Sequence, residues 1–452
     1  MEIVLLGHMG RDEAVADRLY QGHKLHVLGQ WENPGLVEKA TASGGQFHVV
    51  DSIADAETIA DYVQAIEPDM FLTNFDDALA AGVVDAIQRR VGDRRMPPVL
   101  LPCPDRASAR VEWDKFYLRD IIEQVDPSFN PDNFMAKTED EVRLAVAHFV
   151  GQNKQIAVKP RNLAGGKGVK VQGKHFDTYE EGQAYALQVL RSATQSGVEI
   201  QEKLEGHEWT LQLCTDGTTL IDPPVTYDHP YREDGDEGPG TGGMGAFSMR
   251  DGRLPFVTDK DYARAVSLMR QVLRYLSDRG HHFRGVLYPT FFKTPDGGLK
   301  IVEVNARGGD PELINVLDLM DDNVDTAQIL AAIAKGELRP DDVRYKQLAS
   351  AMLYLVSPEY GYAKGPTYEF AMDLGAITDE GVQTRFAAAK QLGPGRYQTV
   401  GSSRVVGLSA LGETPWQARQ KIHSALARGV HQPMSLHYRS DIGDEQYIAS
   451  LT

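Results

Sequence analysis

Polar side chains that suit metal and phosphate chemistry follow a strand-like run near residue 300. Residues 303–312 read EVNARGGDPE, directly after LKIV at 299–302. Because side chains alternate along a strand, we expect Glu303 and Asn305 to face the same way while Val304 faces the core. A carboxylate beside an amide oxygen is a pair of hard ligands that suits Mg²⁺ bridging nucleotide phosphates. Arg307 follows on the same parity and would hold an anion there, although the pattern alone also fits a solvated strand end.

A glycine-rich segment after Lys159 suits phosphate binding. Residues 163–169 read LAGGKGV. Glycines let backbone N–H groups close on phosphate oxygens, and Lys167 adds positive charge. The segment does not fit the Walker A template, because the first glycine is missing and Gly168 follows the lysine in place of Ser or Thr. It predicts either a phosphate-binding loop or an ordinary turn between two strands.

Two further segments carry groups that would contact a nucleotide or a small substrate. Residues 201–208 read QEKLEGHE, and carboxylates at a strand end can accept hydrogen bonds from an adenine amine and a ribose hydroxyl. The alternative is a charged surface turn. Residues 240–245 read GTGGMG after an acid-rich stretch that does not fit a calcium loop, because Gly238 occupies the fifth position of the frame starting at Asp234. This loop is more typical of one that wraps a small substrate.

Covalent catalysis by a protein nucleophile has no support in the sequence. There is no G-x-S-x-G nucleophile elbow, and neither Cys103 nor Cys214 is paired with a plausible base. The histidines at 207, 229, 281 and 282 have no metal-binding spacing. The residues therefore favour metal-assisted transfer of a phosphoryl group.

The composition indicates an ordinary soluble protein of several domains. The chain has 452 residues, 42% hydrophobic and 25% charged, which is too long for a single core. Its formal charge of −17 argues against general binding to nucleic acid or membranes, which needs a basic surface. The first residues, MEIVLLG, lack the features of a signal peptide, and no window approaches the roughly 20 apolar residues of a membrane span. With only two cysteines, we predict a cytoplasmic protein.

Three regions follow one another along the chain. In residues 1–104, apolar runs at 3–6, 26–28, 47–50, 70–72 and 99–101 alternate with helix-like segments at 56–66 and 78–90, which predicts a parallel sheet with helices on its faces. The first run leads into GHMGR at 7–11, which lacks the G-x-G-x-x-G dinucleotide fingerprint. Residues 105–338 contain several strand-like runs, including 210–214. Residues 339–452 read as a small third domain with a helix at 415–427.

Taken in order, these segments resemble the ATP-grasp enzymes and, within them, the phosphoribosylamine–glycine ligase family. The resemblance covers essentially the whole chain. It rests on Lys159 with LAGGKGV, on EKLEGHE, on the block from Asp228 and His229 to GPGTGGMGAFS, on EVNARGGDPE, and on segments at 404–412 and 438–443. It implies an α/β (α+β ATP-grasp) fold with an N-terminal parallel α/β (pre-ATP-grasp) domain at 1–104, an ATP-grasp domain at 105–338 with a mobile lid around residues 122–204, and a C-terminal α/β domain at 339–452.

The resemblance also implies roles for individual residues. ATP would be bound by Lys115, Lys159, the lid-loop residues Gly165, Gly166, Lys167 and Gly168, the adenine hinge Glu202, Lys203 and Leu204, and the ribose carboxylate Glu208. Mg²⁺ or Mn²⁺ would be bound by Glu303 and Asn305. The catalytic residues would be Arg307, Lys167 and Asp228. The remaining substrates would be bound by Gly7, Gly10, Arg11, Gly242, Gly243, Met244, Gly245 and Asp310.

The implied reaction is the ATP-dependent formation of an amide between glycine and 5-phosphoribosylamine, through glycyl phosphate, in de novo purine biosynthesis. ATP is a substrate and Mg²⁺ the cofactor, while a closing lid keeps water from the acyl phosphate. The partners would be small molecules, with no nucleic acid and no membrane, and the chain would be a monomer or a small homo-oligomer.

Several segments depart from the family's pattern, mainly near the second and third substrates. The first loop reads GHMGRDEA, residues 74–76 read NFD, Pro230 and Tyr231 stand where a basic residue is usual, and Gly308 replaces an aromatic residue. Two alternatives therefore stay open. One is a diverged ATP-grasp ligase that joins another amino acid to another amine, and the other is a catalytically silent ATP-binding module.

Overall fold

The structure, a computed structural model, describes residues 1–163, 168–431 and 436–451. The first region contains β1 (Glu2–Leu6), α1 (Gly10–Asp17), β2 (Lys24–Gly29), α2 (Pro34–Ala42), β3 (Phe47–Val49), α3 (Ala56–Ile66), β4 (Met70–Thr73), α4 (Asp76–Ala81) and α5 (Val83–Gly92). The strands form a parallel sheet in the order β3-β2-β1-β4, which confirms the predicted sheet type. Residues 3–6 of β1 are all buried, as expected for a parallel strand with helices on both faces.

Two sequence predictions in this region were wrong in detail. The run at 99–101 is not a full strand, because only Leu100 forms a bridge, to Met70. The helix predicted at 78–90 is two helices, because Gly82 between them has a φ of 82°, a left-handed conformation that ends α4.

A second sheet carries the segment that the resemblance assigns to the lid. Its neighbourhood contains α6 (Arg110–Trp113), α7 (Lys115–Val125), β5 (Asn133–Ala136), α8 (Glu139–Gln152), β6 (Ile156–Pro160), β7 (Lys170–Val171), α9 (Tyr179–Leu190) and β8 (Val198–Glu202), with a 3-10 turn at Pro127–Phe129. The sheet order is β5-β8-β6-β7. Helices α8 and α9 pack on it around a small separate core that includes Val142, Phe149 and Ile200.

A third group of strands carries residues predicted to bind the metal and the other substrates. It contains β9 (His207–Thr210), β10 (Leu213–Thr215), β11 (Tyr227–Asp228), β12 (Tyr231–Glu233), β13 (Glu237–Gly240), β14 (Gly245–Ser248), α10 (Asp259–Ser277), β15 (Gly285–Lys293) and β16 (Leu299–Asn305), with a 3-10 turn at Asp234–Asp236. Both β9 and β10 pair with β15, so the strand predicted at 210–214 is interrupted at Leu211 and Gln212. β16 forms the other edge of β15.

The last region combines helices with antiparallel strands. It contains α11 (Glu312–Leu319), α12 (Thr326–Lys335), a 3-10 turn at Pro340–Asp342, β17 (Ala349–Val356), β18 (Glu369–Met372), α13 (Leu374–Asp379), β19 (Val382–Phe386), β20 (Ala389–Gly393), β21 (Arg396–Thr399), β22 (Arg404–Gly412), α14 (Pro415–Gly429), β23 (Val430–His431) and α15 (Glu445–Ala449). One sheet has the order β11-β14-β17-β22-β19, so strands from both sides of residue 338 share it. The domain boundaries stay a prediction. No helix in the described ranges combines the length and apolar character of a membrane span.

Candidate active site

The residues predicted to bind the metal lie at the end of β16, where a β-bulge sets their direction. The β15–β16 register shifts between Thr290 and Phe291, which leaves Val302 as the extra residue. Before the bulge Leu299 and Ile301 are buried, and after it Val304 is buried. A bulge re-aims the side chains that follow it. Glu303 and Asn305 therefore face away from the core.

The two side chains offer oxygen atoms suited to a hard divalent cation. Asn305 Nδ2 donates a hydrogen bond to Glu303 Oε1 at 3.0 Å, while the Asn305 side-chain oxygen accepts none from the described residues. No group of three or more His, Cys, Asp or Glu side chains within the described ranges is arranged to hold a metal. Mg²⁺ commonly takes only one or two protein ligands and completes its shell with phosphates and water. The pair therefore fits Mg²⁺ that arrives with a nucleotide.

Two lysines that the resemblance assigns to ATP lie near one another, and Glu303 acts on one of them. Lys159 on β6 is buried, and its ammonium makes no hydrogen bond or ion pair with the described residues. Burial lowers the pKa of Lys159 to about 8, an effect partly offset by Glu199 and Glu303. Lys115 is the first residue of α7, and its charge also acts on Lys159. A buried cation without a partner is a physical reason to expect an anion in this cleft.

The predicted adenine hinge follows β8. The Glu202 carboxylate is already engaged, because Oε1 accepts from Asp132 N at 2.9 Å and Oε2 accepts from Lys154 Nζ at 2.9 Å. Lys203 Nζ donates to Gln155 at 2.8 Å. These contacts leave the backbone of residues 202–204, rather than the two charged side chains, as the part of the hinge that would meet a base.

Glu208 lies on β9, on the cleft side of the hinge. Its side chain is half-buried, and burial together with the negative charge of Glu303 raises its pKa to about 7. The charge of Lys159 acts in the opposite direction. Glu208, Lys159 and Glu303 therefore belong to one electrostatic cluster, although Lys159 and Glu303 are 144 positions apart in the sequence.

Part of the predicted lid loop lies outside the described residues. This applies to Gly165, Gly166 and Lys167, so their roles stay predictions. Gly168 is described, and its carbonyl accepts a hydrogen bond from the Tyr185 hydroxyl at 2.7 Å. The end of the loop is thus tied to α9.

Arg307 follows β16 and points towards α6. Its Nε lies 3.2 Å from Glu112 Oε1, and Glu112 Oε2 accepts from Ala306 N at 2.9 Å. Burial raises the pKa of Glu112 to about 7, and the charge of Arg307 limits that rise. Arg307 also lies 5.9 Å from the centre of the Tyr288 ring. The guanidinium is therefore held in place by one carboxylate, with donors left for an anion.

The first loop of the chain, residues 7–11, is folded tightly around Asp12. Asp12 Oδ2 accepts from His8 N at 3.0 Å and from Met9 N at 2.9 Å. A Cβ added at Gly7 would lie 2.4 Å from Asp12 Cγ, and one added at Gly10 would lie 2.3 Å from the Tyr354 hydroxyl oxygen. Side chains at these two positions would break the loop.

Arg11 links this loop to the segment after β16. The side chain is buried, and Nη1 donates to Gly308 O at 2.6 Å. Asn74 Oδ1 accepts from Gly308 N at 3.2 Å. Arg11, Asn74 and Gly308 therefore meet in space. Each lies in or beside a segment that departs from the family's pattern.

Asp228 and the loop at 242–245 form a second group of residues predicted to contact substrate. The Asp228 carboxyl has a buried Oδ1 with no hydrogen-bond partner in the described part of the chain, and burial together with Glu312 raises its pKa well above the usual range. Gly243, with a φ of 99°, brings the backbone close enough that an added Cβ would lie 3.0 Å from Asp228 Oδ1. Only a glycine gives a ligand room beside this carboxyl.

The neighbouring loop residues are fixed by the core and by β22. Met244 is fully buried and its N–H donates to His229 O at 2.8 Å, so it packs in the core. Gly242 O accepts from Arg404 Nη1 at 2.5 Å. An added Cβ at Gly245 would lie 2.2 Å from Met352 O. The loop is therefore rigidly held.

Asp310 connects the first loop, at 7–11, to the loop at 242–245. Its Oδ1 accepts a hydrogen bond from the Tyr354 hydroxyl, and its Oδ2 lies 3.2 Å from Arg404 Nη2. Asp310 is buried on the same side of the cleft as Gly10, because Tyr354 contacts both. The sequence-predicted acceptor residues thus converge on one region.

Comparison with known proteins agrees with this arrangement. The family "Phosphoribosylglycinamide synthetase, ATP-grasp (A) domain" matches residues 114–313. A phosphoribosylamine–glycine ligase of Pyrococcus abyssi is 31% identical over 451 residues, covering 99% of this chain and 96% of the relative. One from Methanopyrus kandleri is 31% identical over 459 residues, covering 99% and 97%. The chain belongs to the phosphoribosylamine–glycine ligase family.

Solved structures support the fold. The phosphoribosylamine–glycine ligase of Thermotoga maritima has a TM-score of 0.75 at 22% identity, covering 98% of this chain and 100% of that one. The biotin carboxylase domain of 2-oxoglutarate carboxylase from Hydrogenobacter thermophilus, crystallised with MgADP, has a TM-score of 0.67 at 13% identity, covering 95% and 91%. The ATP-grasp fold predicted for a phosphoribosylamine–glycine ligase is confirmed.

Several residues of this candidate site were missed in the sequence analysis. Gln212 Oε1 accepts from Gly309 N at 2.7 Å, and the Tyr288 hydroxyl donates to Glu312. Glu112 stands three residues before Lys115, and Arg404 opens a segment that carries the resemblance, so both had a local signal. Gln212 and Tyr288 had none, because their roles depend on strand pairing, and Glu312 ends the EVNARGGDPE segment but was assigned no role.

Proposed function

We propose that the protein is an ATP-dependent ligase that joins glycine to 5-phosphoribosylamine through glycyl phosphate, in de novo purine biosynthesis. The observation that carries the proposal is the full-length match to phosphoribosylamine–glycine ligases. The cleft supports it, because Lys159, Glu303 and Asp228 lie on one continuous set of interacting charged groups.

In the first step, a glycine carboxylate oxygen attacks the γ-phosphorus of ATP. A new O–P bond forms, the bond to the bridging oxygen breaks, and ADP leaves. We assign Lys159 and Lys115 to the ATP phosphates and Arg307 to the charge that develops on the transferred group. When bound, Mg²⁺ would be held by Glu303 and Asn305 and would neutralise phosphate charge.

In the second step, the amine of 5-phosphoribosylamine attacks the acyl carbon of glycyl phosphate. A C–N bond forms, the C–O bond to phosphate breaks, and inorganic phosphate leaves. The attacking nitrogen must lose a proton, and we assign that proton to Asp228. Burial raises the pKa of Asp228, which makes its carboxylate a stronger base than an exposed aspartate.

Binding of the acceptor is assigned to the first loop and to the wall opposite it. We propose Gly7, Gly10 and Arg11 for the sugar phosphate, and Gly242, Gly243, Gly245 and Asp310 for the amino acid and the amine, with Met244 supporting the loop from the core. We also propose division into domains at 1–104, 105–338 and 339–452, a cytoplasmic location, and a monomeric or small homo-oligomeric state.

A second candidate is an ATP-grasp ligase with a different amine. One observation favours it. The ring of His8 lies 4.0 Å from the Trp31 ring and 4.6 Å from the Phe75 ring, centre to centre, beside the loop assigned to the sugar phosphate. Burial lowers the pKa of His8 to about 3, so the imidazole is neutral and supplies no positive charge for a phosphate.

The test is a substrate panel with the full chain. Purified protein is supplied with Mg-ATP, freshly prepared phosphoribosylamine and each amino acid in turn, while ADP and amide product are measured. Amide formation and ADP release that require both glycine and phosphoribosylamine are expected. Turnover that requires another acid or amine would replace this function with the second candidate. Nucleotide-dependent thermal stabilisation without turnover for any pair would indicate a binding module.

A further inference from the structure

A single buried arginine contacts both the metal-binding strand and the lid sheet. Arg119 on α7 has a side chain only 2% exposed. Its Nε donates to Glu199 Oε1 at 2.6 Å, and its Nη2 donates to Gln201 Oε1 at 3.3 Å. Its Nη1 donates to Ile301 O at 2.9 Å, and its Nη2 also donates to Val302 O at 2.9 Å. The guanidinium therefore joins β8 to β16.

The two carbonyl groups belong to the β-bulge that directs the metal ligands. Val302 is the extra residue of that bulge, and Ile301 precedes it. A bulge disrupts the hydrogen bonds of the ladder, and buried carbonyl groups need other donors. Arg119 supplies them. The direction of Glu303, one residue later, thus depends on a bulge held by Arg119.

The other two contacts lie on the strand opposite the phosphate lysine. Glu199 on β8 lies opposite Lys159 on β6 in the antiparallel register of the two strands. The Glu199 side chain is fully buried, and its charge partly offsets the effect of burial on Lys159. β8 also leads into the hinge at 202–204. Arg119 therefore holds the strand that supports Lys159 and the hinge.

We propose that Arg119 is a positioning residue that fixes the Mg²⁺ ligands Glu303 and Asn305 relative to Lys159. A planar guanidinium can bond a carboxylate, an amide oxygen and two carbonyls at once, whereas an ammonium has three donors on one atom. This inference rests on the part of the proposed function that assigns Mg²⁺ to Glu303 and Asn305 and the ATP phosphates to Lys159. It does not depend on which acid and amine are joined. It predicts that the loss of Arg119 separates nucleotide binding from metal binding.

The test measures the binding of ADP by calorimetry, with and without Mg²⁺, on the full chain. The ratio of the two Kd values gives the enhancement of ADP binding by Mg²⁺. Arg119→Gln should reduce this enhancement about tenfold or more, in the range known for residues that orient metal ligands, and Arg119→Lys should give an intermediate value. Arg143→Gln on α8 is the matched control, because Arg143 is also ion-paired, to Glu139 and Asp140, but is exposed.

A double variant separates positioning from stability. Arg119→Gln leaves the buried Glu199 carboxylate without its partner, and this alone is expected to lower Tm. Arg119→Leu with Glu199→Leu removes both charges and should recover much of that Tm, yet it provides no donor for Ile301 and Val302. We expect the Mg²⁺ enhancement to stay low in the double variant. Recovery of the enhancement together with Tm, or wild-type enhancement in Arg119→Gln, would overturn the proposal.

The outcome is independent of the acceptor chemistry. If the wild type forms the amide but the enhancement is unchanged in the Arg119 variants, the proposed function stands and the role of Arg119 is wrong. If the wild type forms no amide but the enhancement falls as described, the role of Arg119 stands and the proposed function is wrong. Folding of each variant is checked by circular dichroism, and Arg119→Lys supports the test if Arg119→Gln does not fold.

Discussion

The two halves of the cleft are built differently. On the ATP half, several charged side chains are paired before any ligand binds, as in Arg119 with Glu199 and Lys154 with Glu202, although the buried Lys159 ammonium has no such partner within the described ranges. On the acceptor half, Asp228 Oδ1 and Gln212 Nε2 are buried and have no hydrogen-bond partner among the described residues. Leaving a buried polar atom unpaired costs on the order of 1–3 kcal/mol. A polar ligand on the acceptor half would therefore offset the cost of burying the Asp228 and Gln212 atoms, as an anion would offset the buried charge of Lys159 on the ATP half.

Because of this difference, we expect substitutions in the two halves to have different effects. Paired charges fix the geometry of the ATP half, so a change there should affect nucleotide and metal together. The acceptor half instead has a narrow backbone loop, aromatic rings around His8 and unpaired polar atoms, which select a substrate by shape and hydrogen bonding. Substitutions in each half should therefore change different kinetic constants.

The largest expected effect is on the ATP half, for Glu303→Ala. Removing this carboxylate takes away one of the two proposed metal ligands, and metal ions contribute several kcal/mol to such reactions, so we expect a loss of roughly 1,000-fold in kcat. ADP release at saturating Mg-ATP measures it. Asp259→Ala, which removes an exposed carboxylate, is the control. Activity within tenfold of wild type would remove Glu303 from its assigned role.

The matching change on the acceptor half is Asp228→Asn. Loss of the proposed proton acceptor should lower amide formation by roughly 100-fold or more, as is usual for general base residues. Glycyl phosphate should still form, since the first step does not use Asp228, and hydroxylamine should trap it as the hydroxamate. The control is the exposed Asp222→Asn. Equal loss of hydroxamate and amide would place Asp228 in the first step or in folding instead.

The ATP half could be read from the sequence because its signals are local. Alternation in EVNAR predicted that Glu303 and Asn305 share a face, and the structure agrees. The bulge at Val302 was not predicted, although the buried parity changes there, because a bulge is defined by the partner strand. The contact of Arg119 with Glu199 spans 80 residues and gives no periodic signal.

The acceptor half was harder to predict because its residues come from distant segments. Arg11 contacts Gly308 across 297 residues, and Tyr354 contacts Asp310 across 44. The glycine-rich segment at 240–245 already indicated a substrate loop around Gly243, and the family resemblance supplied the roles of Gly10 and Asp310. Glu312 ends the EVNARGGDPE segment, but its effect on the pKa of Asp228 depends on the fold, which brings the two carboxyl groups together.

A pH profile sharpens the comparison on the ATP half. Burial lowers the pKa of Lys159 to about 8, so its ammonium is charged below that pH and is lost as pH rises through it. We expect kcat/KM for ATP, which reports the free enzyme, to fall about tenfold per pH unit above 8. Lys159→Arg should flatten this limb, because arginine stays charged. An unchanged limb in that variant would assign it to another group.

The smallest expected effect concerns the contact that connects the two halves. Lys174, which follows β7 in the lid sheet, lies with Nζ 3.1 Å from the centre of the Tyr231 ring and donates to Asp236 O at 2.9 Å. Tyr231→Leu removes the cation–π part, worth about 0.5–1 kcal/mol at exposed sites, while Tyr231→Phe keeps it. If the contact helps to close the lid over ATP, Tyr231→Leu should raise KM for ATP about two- to fivefold, leave KM for glycine within twofold, and leave Tyr231→Phe near wild type. A change confined to KM for glycine would assign Tyr231 to the acceptor half, and the two halves would then not be joined through the lid at this point.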